Sequence, residues 1–103
     1  MPDKEYEQKI EFHSLAREEL TESAKWYEER KTGLGDEFLD EIESKLERIA
    51  RKPNSYSIVY ENVRQASLTR FPYLIYYIIK SPLVFILSIW HKKRDRDGWK
   101  KRI

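Results

Sequence analysis

Cutting RNA requires a base that takes the proton from a 2′-OH, an acid for the leaving oxygen, and cations that hold the charged phosphorane. The residues of this chain able to offer such groups are His91, Arg64, Arg70, Lys92, Lys93 and Arg94. His91 is the natural acid or base among them, because an imidazole titrates near neutrality and this one ends an apolar run beside a cluster of cations. The same histidine could instead contact a partner, hold a backbone carbonyl or pack on Trp90, so no residue is assigned a catalytic role on type alone. Arg64 and Arg70 share strand parity with Ala66 and Leu68, which directs all four to one sheet face. There the arginines either line a cavity or pair with acidic helices. In the C-terminal tail, Lys and Arg alternate around Trp99, a pattern that could track a nucleic-acid backbone while the indole stacks on a base. The alternative is that Trp99 folds back over the sheet.

Other chemistries find little support. Cysteine is absent and there are two histidines, which excludes disulfides and thiolate metal sites and argues against structural zinc, so neither metal nor cofactor is expected. Glu41, Glu43 and Glu47 fall at helix-surface spacing and make no paired-carboxylate site. His13, alone on the polar side of a strand, reads as structural, and Tyr73, Tyr76 and Tyr77 read as sheet packing.

These side chains are carried by the stretch from Val63 to His91, three runs of β-branched, aromatic and aliphatic residues separated by Phe71-Pro72 and Lys80-Ser81-Pro82. That pattern predicts three consecutive antiparallel strands. The last two alternate between Tyr73, Ile75, Tyr77, Ile79 and Leu74, Tyr76, Ile78, then between Leu83, Phe85, Leu87, Ile89 and Val84, Ile86, Trp90, so both faces are apolar and both need cover. Upstream, residues 6 to 13 alternate as a half-buried strand near an edge. Ser14 is placed to cap a helix over about residues 15 to 31, with Glu18 and Glu19 near its first turns and Ala16, Leu20, Ala24 and Tyr27 on its apolar side. Gly33-Leu34-Gly35 ends it, Asp36 can cap a second helix with Phe38, Ile42, Leu46 and Ile49 inward, and Pro53 stops that helix near Lys52. Residues 54 to 62 read as a polar loop. The element order is β-α-α-β-β-β, an α+β fold in which a helical hairpin covers one face of a small antiparallel sheet and the tail partly shields the other.

The chain has 103 residues, the size of one compact domain, with a basic tail over residues 92–103. No secretory pattern opens it, and its apolar runs fall short of the roughly 20 residues a spanning helix needs, so a cytoplasmic protein without membrane partners is expected. Residues 1 to 50 balance at −7 and residues 51 to 103 at +9, which predicts an acidic side and a basic side, the latter suited to nucleic acid or an acidic protein.

Four blocks resemble the ParE/RelE superfamily of type II toxin–antitoxin toxins, and most closely its ParE-like, plasmid-stabilisation branch. They are Lys25-Trp26-Tyr27-Glu28-Glu29; Gly33 to Phe38 and the helix that follows to Pro53; Arg64 through Phe71-Pro72-Tyr73 into Ile75-Tyr76-Tyr77; and Ile89-Trp90-His91 followed by Lys93, Arg94 and Trp99. The resemblance implies the same α+β fold and a growth-inhibiting toxin neutralised by a cognate antitoxin that wraps it. It also implies a choice of mechanism. One branch is a ribosome-dependent endoribonuclease acting on mRNA, where His91, Arg64 and Arg70 would be the catalytic candidates; the ParE branch is associated with inhibition of DNA gyrase. Where ribonuclease members place an arginine in the third strand, this chain has Leu74. Losing such a preorganised charge typically costs about 10² to 10³ in rate, which favours the binding branch. In that case Arg64, Arg70, His91, Lys92, Lys93, Arg94 and Trp99 are the candidate contacts for antitoxin or target. A homodimer in the absence of antitoxin, and a non-toxic nucleic-acid-binding relative, are further readings the sequence permits.

Overall fold

Two amphipathic stripes facing one another account for the helical layer. The computed structural model describes residues 7–103; the predicted strand position of Tyr6 lies outside them. Helix α1 runs Ser14–Arg30 and α2 runs Leu34–Arg51, and Ala16, Phe38, Ile42 and Ile49 are buried between them and the sheet. The cap of α1 is His13 rather than Ser14: its Nδ1 accepts the Leu15 N–H at 3.1 Å. The reason is that the His13 N–H is still tied to the Ile86 carbonyl at 2.8 Å, so the chain can begin to turn only at Ser14. Glu18 and Glu19 consequently lie beyond the first turn.

The turn between the helices is also built differently from the prediction. Gly33 takes a left-handed φ of 89° and Asp36 sits inside the first turn of α2, still favourable to the dipole but not its cap. The open N–H groups are met by Glu28, whose carboxylate accepts from Gly33 at 2.9 Å and from Gly35 at 3.0 Å. Gly35 packs against the backbone of α1, where an added Cβ would lie 2.6 Å from the Ala24 carbonyl oxygen.

The sheet has five strands in the order β1-β5-β4-β3-β2: β1 Lys9–Phe12, β2 Ile58–Tyr60, β3 Val63–Ser67, β4 Tyr73–Lys80 and β5 Leu83–His91. The predicted antiparallel meander is β3-β4-β5. The sheet is mixed rather than purely antiparallel, because β1 pairs parallel with β5, and the hairpin and meander provide the long connection a parallel pair needs. Within the predicted loop, Ile58-Val59-Tyr60 forms a short outer strand against β3; a run of three exposed residues has no period to betray it.

On the helix side the core centres on Phe38, Ile42, Ile49, Ile75, Tyr77 and Ile86. Tyr27, Phe38, Phe71 and Tyr73 form an aromatic cluster with centroids 4.8 to 6.2 Å apart, which pins the turn before β4. Glu41 holds that same turn, accepting the Thr69 N–H at 2.6 Å and the Arg70 N–H at 3.1 Å. The alternation of β5 breaks at a bulge: Tyr77 pairs with Ile86 but Tyr76 with Ser88. Ile86 and Ile89 therefore both face the helices, while Leu87 and Trp90 face the other way.

Two consequences are measurable. Gly35→Ala gains about 1 kcal/mol of helix propensity but forces the helices apart, at a cost of roughly 1–3 kcal/mol, so urea unfolding should show net destabilisation, and a stabilised variant would contradict this packing. The Tyr77 hydroxyl donates to the Pro53 carbonyl at 2.7 Å, and burial pushes its pKa from 10.0 up to about 12 against the opposing pull of Arg64. The unfolded chain releases that proton first, so the stability it confers is whole below pH 10 and is lost as pH rises through about 12. Wild type should lose on the order of 2 kcal/mol more than Tyr77→Phe across that interval, and parallel pH profiles would contradict it.

Candidate interaction site

The sheet face turned away from the helices is covered along β4 and β5 by the chain's own tail, a fuller cover than the partial shielding expected from the sequence. After β5 the chain loops through residues 92–97 into a 3-10 turn at Gly98–Arg102. Trp99 is only 3% exposed and stacks on Tyr76 at 4.1 Å and 17°, its indole N–H donating to the Arg96 carbonyl at 3.0 Å. Trp90 donates to the Asp95 carbonyl at 2.8 Å. Of the two readings of Trp99, the folded-back one describes the structure.

What fixes the tail is Glu19. β1 pairs with β5 only as far as Phe12 opposite Ile86, which leaves the Leu87 carbonyl and the Ile89 N–H on an open edge. Side chains complete that edge: Glu19 accepts the Ile89 N–H at 3.1 Å, and Arg102 donates to the Leu87 carbonyl at 2.8 Å. Arg102 also pairs with Glu19 at 2.7 Å, with side-chain exposures of 8% and 12%, and Arg94 reaches the same carboxylate at 2.5 Å from a more exposed position.

Seated this way, the tail forms one wall of a groove of about 420 Å³ whose floor is Gln65, Ser67, Leu74 and Tyr76 and whose rim is Lys92, Arg94 and Arg96. Arg94 lies over the Trp90 ring at 3.7 Å. Lys92 and Arg96 form no ion pair among the described residues. A second hollow, of about 390 Å³, continues from Gln65, Tyr76 and Arg96 past Trp99 to Val59 and Lys100. Burial raises the Tyr76 hydroxyl above its ordinary value, with Trp99, Arg96 and Lys100 pulling the other way, so the floor of the groove is neutral. A neutral, hydrogen-bonding floor beneath a cationic rim is complementary to anionic groups, and the groove lining contains no histidine or carboxylate.

The structure separates the sequence candidates. Lys92 and Arg94 belong to the groove, and Trp99 walls its extension with a buried ring. Lys93 is exposed and outside the groove lining; its N–H donates to His91 Nδ1 at 3.0 Å. His91 lies on the opposite face, opposite Tyr73 in register and 5.0 Å from its ring. Arg64 points to the helix side and binds the Tyr56 carbonyl at 2.6 Å and the Asn54 carbonyl at 3.1 Å. Arg70 pairs with Glu37 at 2.6 Å, away from the groove. Arg96, Gln65 and Ser67 are additional groove residues; the last two share strand parity with Val63 and could have been found from it. Glu19 and Arg102 stand 83 positions apart and leave no local trace.

Two helices on one face of a mixed sheet, with a basic tail folded over the other, define a small α+β protein with a cationic groove on the tail side. The fold resembles a solved chain of the "Chromosomal ParDE TA system from P. aeruginosa", with a TM-score of 0.61 at 15% identity over 84% of this chain and 97% of that one. No curated protein matches the sequence. The family described as ParE toxin of type II toxin–antitoxin system, parDE, matches residues 10–96. The chain therefore belongs to the ParE toxin family.

Breaking the buried pair should cost far more than breaking the exposed one. Arg102→Ala is expected to lower unfolding free energy by about 3–5 kcal/mol and to shift Trp99 emission to the red, whereas Arg94→Ala costs about 1 kcal/mol or less. Equal losses in urea titrations would contradict the tail's role.

Proposed function

We propose that this chain is a toxin that inhibits growth by binding its target rather than by cutting RNA, that its target is DNA gyrase in the cytoplasm, and that a cognate antitoxin neutralises it. The observation that supports this reading is the division of the candidate chemistry between two faces of the sheet. His91, the one imidazole that could exchange a proton in catalysis, is on the helix side; Lys92, Arg94 and Arg96, the cations a phosphorane would need, are on the tail side. Arg64 and Arg70, the other nuclease candidates, are occupied by internal carbonyls and by Glu37. With Leu74 in the groove floor, no acid, base and cation converge on one scissile bond.

Family membership supports the toxin role, and gyrase is the target the ParE resemblance implies. An antitoxin suited to the groove carries an acidic segment, with its carboxylates at the cationic rim and its apolar side chains over Leu74 and Tyr76.

Purified protein should inhibit supercoiling by gyrase and leave mRNA on translating ribosomes intact. The double substitution Lys92→Glu and Arg96→Glu places repulsive charge on the rim without touching the core, and should weaken supercoiling inhibition by about tenfold or more. Codon-site cleavage on ribosomes that disappears in His91→Ala would overturn the proposal.

A further inference from the structure

On the helix side of the sheet, away from the basic groove, lies a half-open cleft of about 520 Å³ between α1 and the ends of β4 and β5. Four aromatic rings follow one another beside it. Trp26 and Tyr27 meet at 5.1 Å and 89°, Tyr27 and Tyr73 at 6.2 Å and 64°, Tyr73 and His91 at 5.0 Å and 76°. These are edge-to-face contacts, which lock the rings in one arrangement, and Trp26, Tyr27, Tyr73 and His91 all line the space. Burial, with Tyr73 nearby, raises the Tyr27 hydroxyl above its ordinary value, so it stays neutral at working pH.

The charge in the lining is supplied by Glu22, which is exposed and has no cation within salt-bridge distance among the described residues. Its surroundings on α1 include Glu18, one turn away along the helix. Trp26 is 49% exposed, large for an indole that serves only packing, and one of its faces already carries the Arg30 guanidinium at 3.7 Å. The ring is thus held in place with its remaining surface at the cleft. A carboxylate beside several aromatic walls is complementary to a weakly hydrated, planar cation that can stack and accept a bidentate pair.

We propose that this cleft is a socket for an arginine side chain presented by a protein partner, its guanidinium against the exposed Trp26 ring and paired with Glu22. Charge complementarity selects this occupant: the helical half of the chain is acidic where the tail half is basic, so a partner approaching α1 meets negative charge. The socket is separate from the groove on the other face, and its failure leaves the gyrase reading untouched.

The test uses the full chain and N-acetyl-arginine amide as probe, followed by NMR. Trp90 and Trp99 indole N–H groups are bonded to carbonyls, so the Trp26 indole resonance is the one free to report. Saturable shifts of Trp26 are expected. Glu22→Gln should weaken binding roughly threefold to fivefold and Trp26→Ala about fivefold to thirtyfold, both at surface positions that leave the fold intact. The isosteric neutral probe N-acetyl-citrulline amide should bind more weakly than the arginine probe. Equal binding of citrulline, indifference to Glu22→Gln, or tighter binding of N-acetyl-tryptophan amide would overturn the socket as a cation site. Tighter binding of tetramethylammonium than of the arginine probe would reassign it to a small quaternary ion and overturn the partner reading.

Discussion

A single carboxylate on the first helix determines how the C-terminal half of this protein is finished. β5 runs past the end of its parallel neighbour, and Glu19 with Arg102 stands in for the missing strand by taking the Ile89 N–H and the Leu87 carbonyl. An ion pair this shielded does not by itself stabilise a fold, because desolvating two charges offsets most of their attraction. Its effect is specific instead: only one path of the tail brings Arg102 to Glu19, and that path lays Trp99 on Tyr76 and Trp90 under the loop. Removing Glu19 leaves Arg102 buried without its counter-charge, and removing Arg102 leaves Glu19 with only the more exposed Arg94 and opens the Leu87 carbonyl, which is why the pair matters more when broken than when formed.

The same arrangement decides which cations remain available. The sequence divides into an acidic half and a basic half, and folding joins them through Glu19 with Arg94 and Arg102, Glu37 with Arg70, and Glu7 with Arg51. Among the described residues, Lys92 and Arg96 have no ion-pair partner at the groove rim, and Glu22 has none beside the aromatic cleft. The molecule thereby has a cationic groove on one face of the sheet and a carboxylate-bearing aromatic cleft on the other. A toxin of a toxin–antitoxin system gains two chemically distinct surfaces from this division.

Much of the architecture was legible because it follows from periodicity. Phe38, Ile42 and Ile49 repeat at helical spacing, and the Phe71-Pro72 and Ser81-Pro82 breaks delimit the strands of the meander. The ParE resemblance rested on blocks that these same elements carry, and the family match over residues 10–96 covers all of them but Trp99. Features set by contacts between distant residues were not legible. The bulge at Leu87 overrides strict alternation because β5 must fit two neighbours at once, and β2 is too short to show a period. Whether the arginines faced a ligand or a carboxylate depended on partners far along the chain: Arg70 has Glu37, Arg64 has the carbonyls of Asn54 and Tyr56. His91 looked close to the tail cations in sequence, yet successive strand residues point to opposite faces, and that alternation separates it from Lys92.

The tail is part of the folded body rather than a loose basic strap. Native-state hydrogen exchange at the Ile89 amide tests it most directly, since this N–H is held by Glu19 and depends on the tail for its shielding. The account predicts exchange as slow as that of Ile75 in the middle of the sheet, released only by global unfolding. Fast exchange at Ile89 while Ile75 remains protected would contradict it.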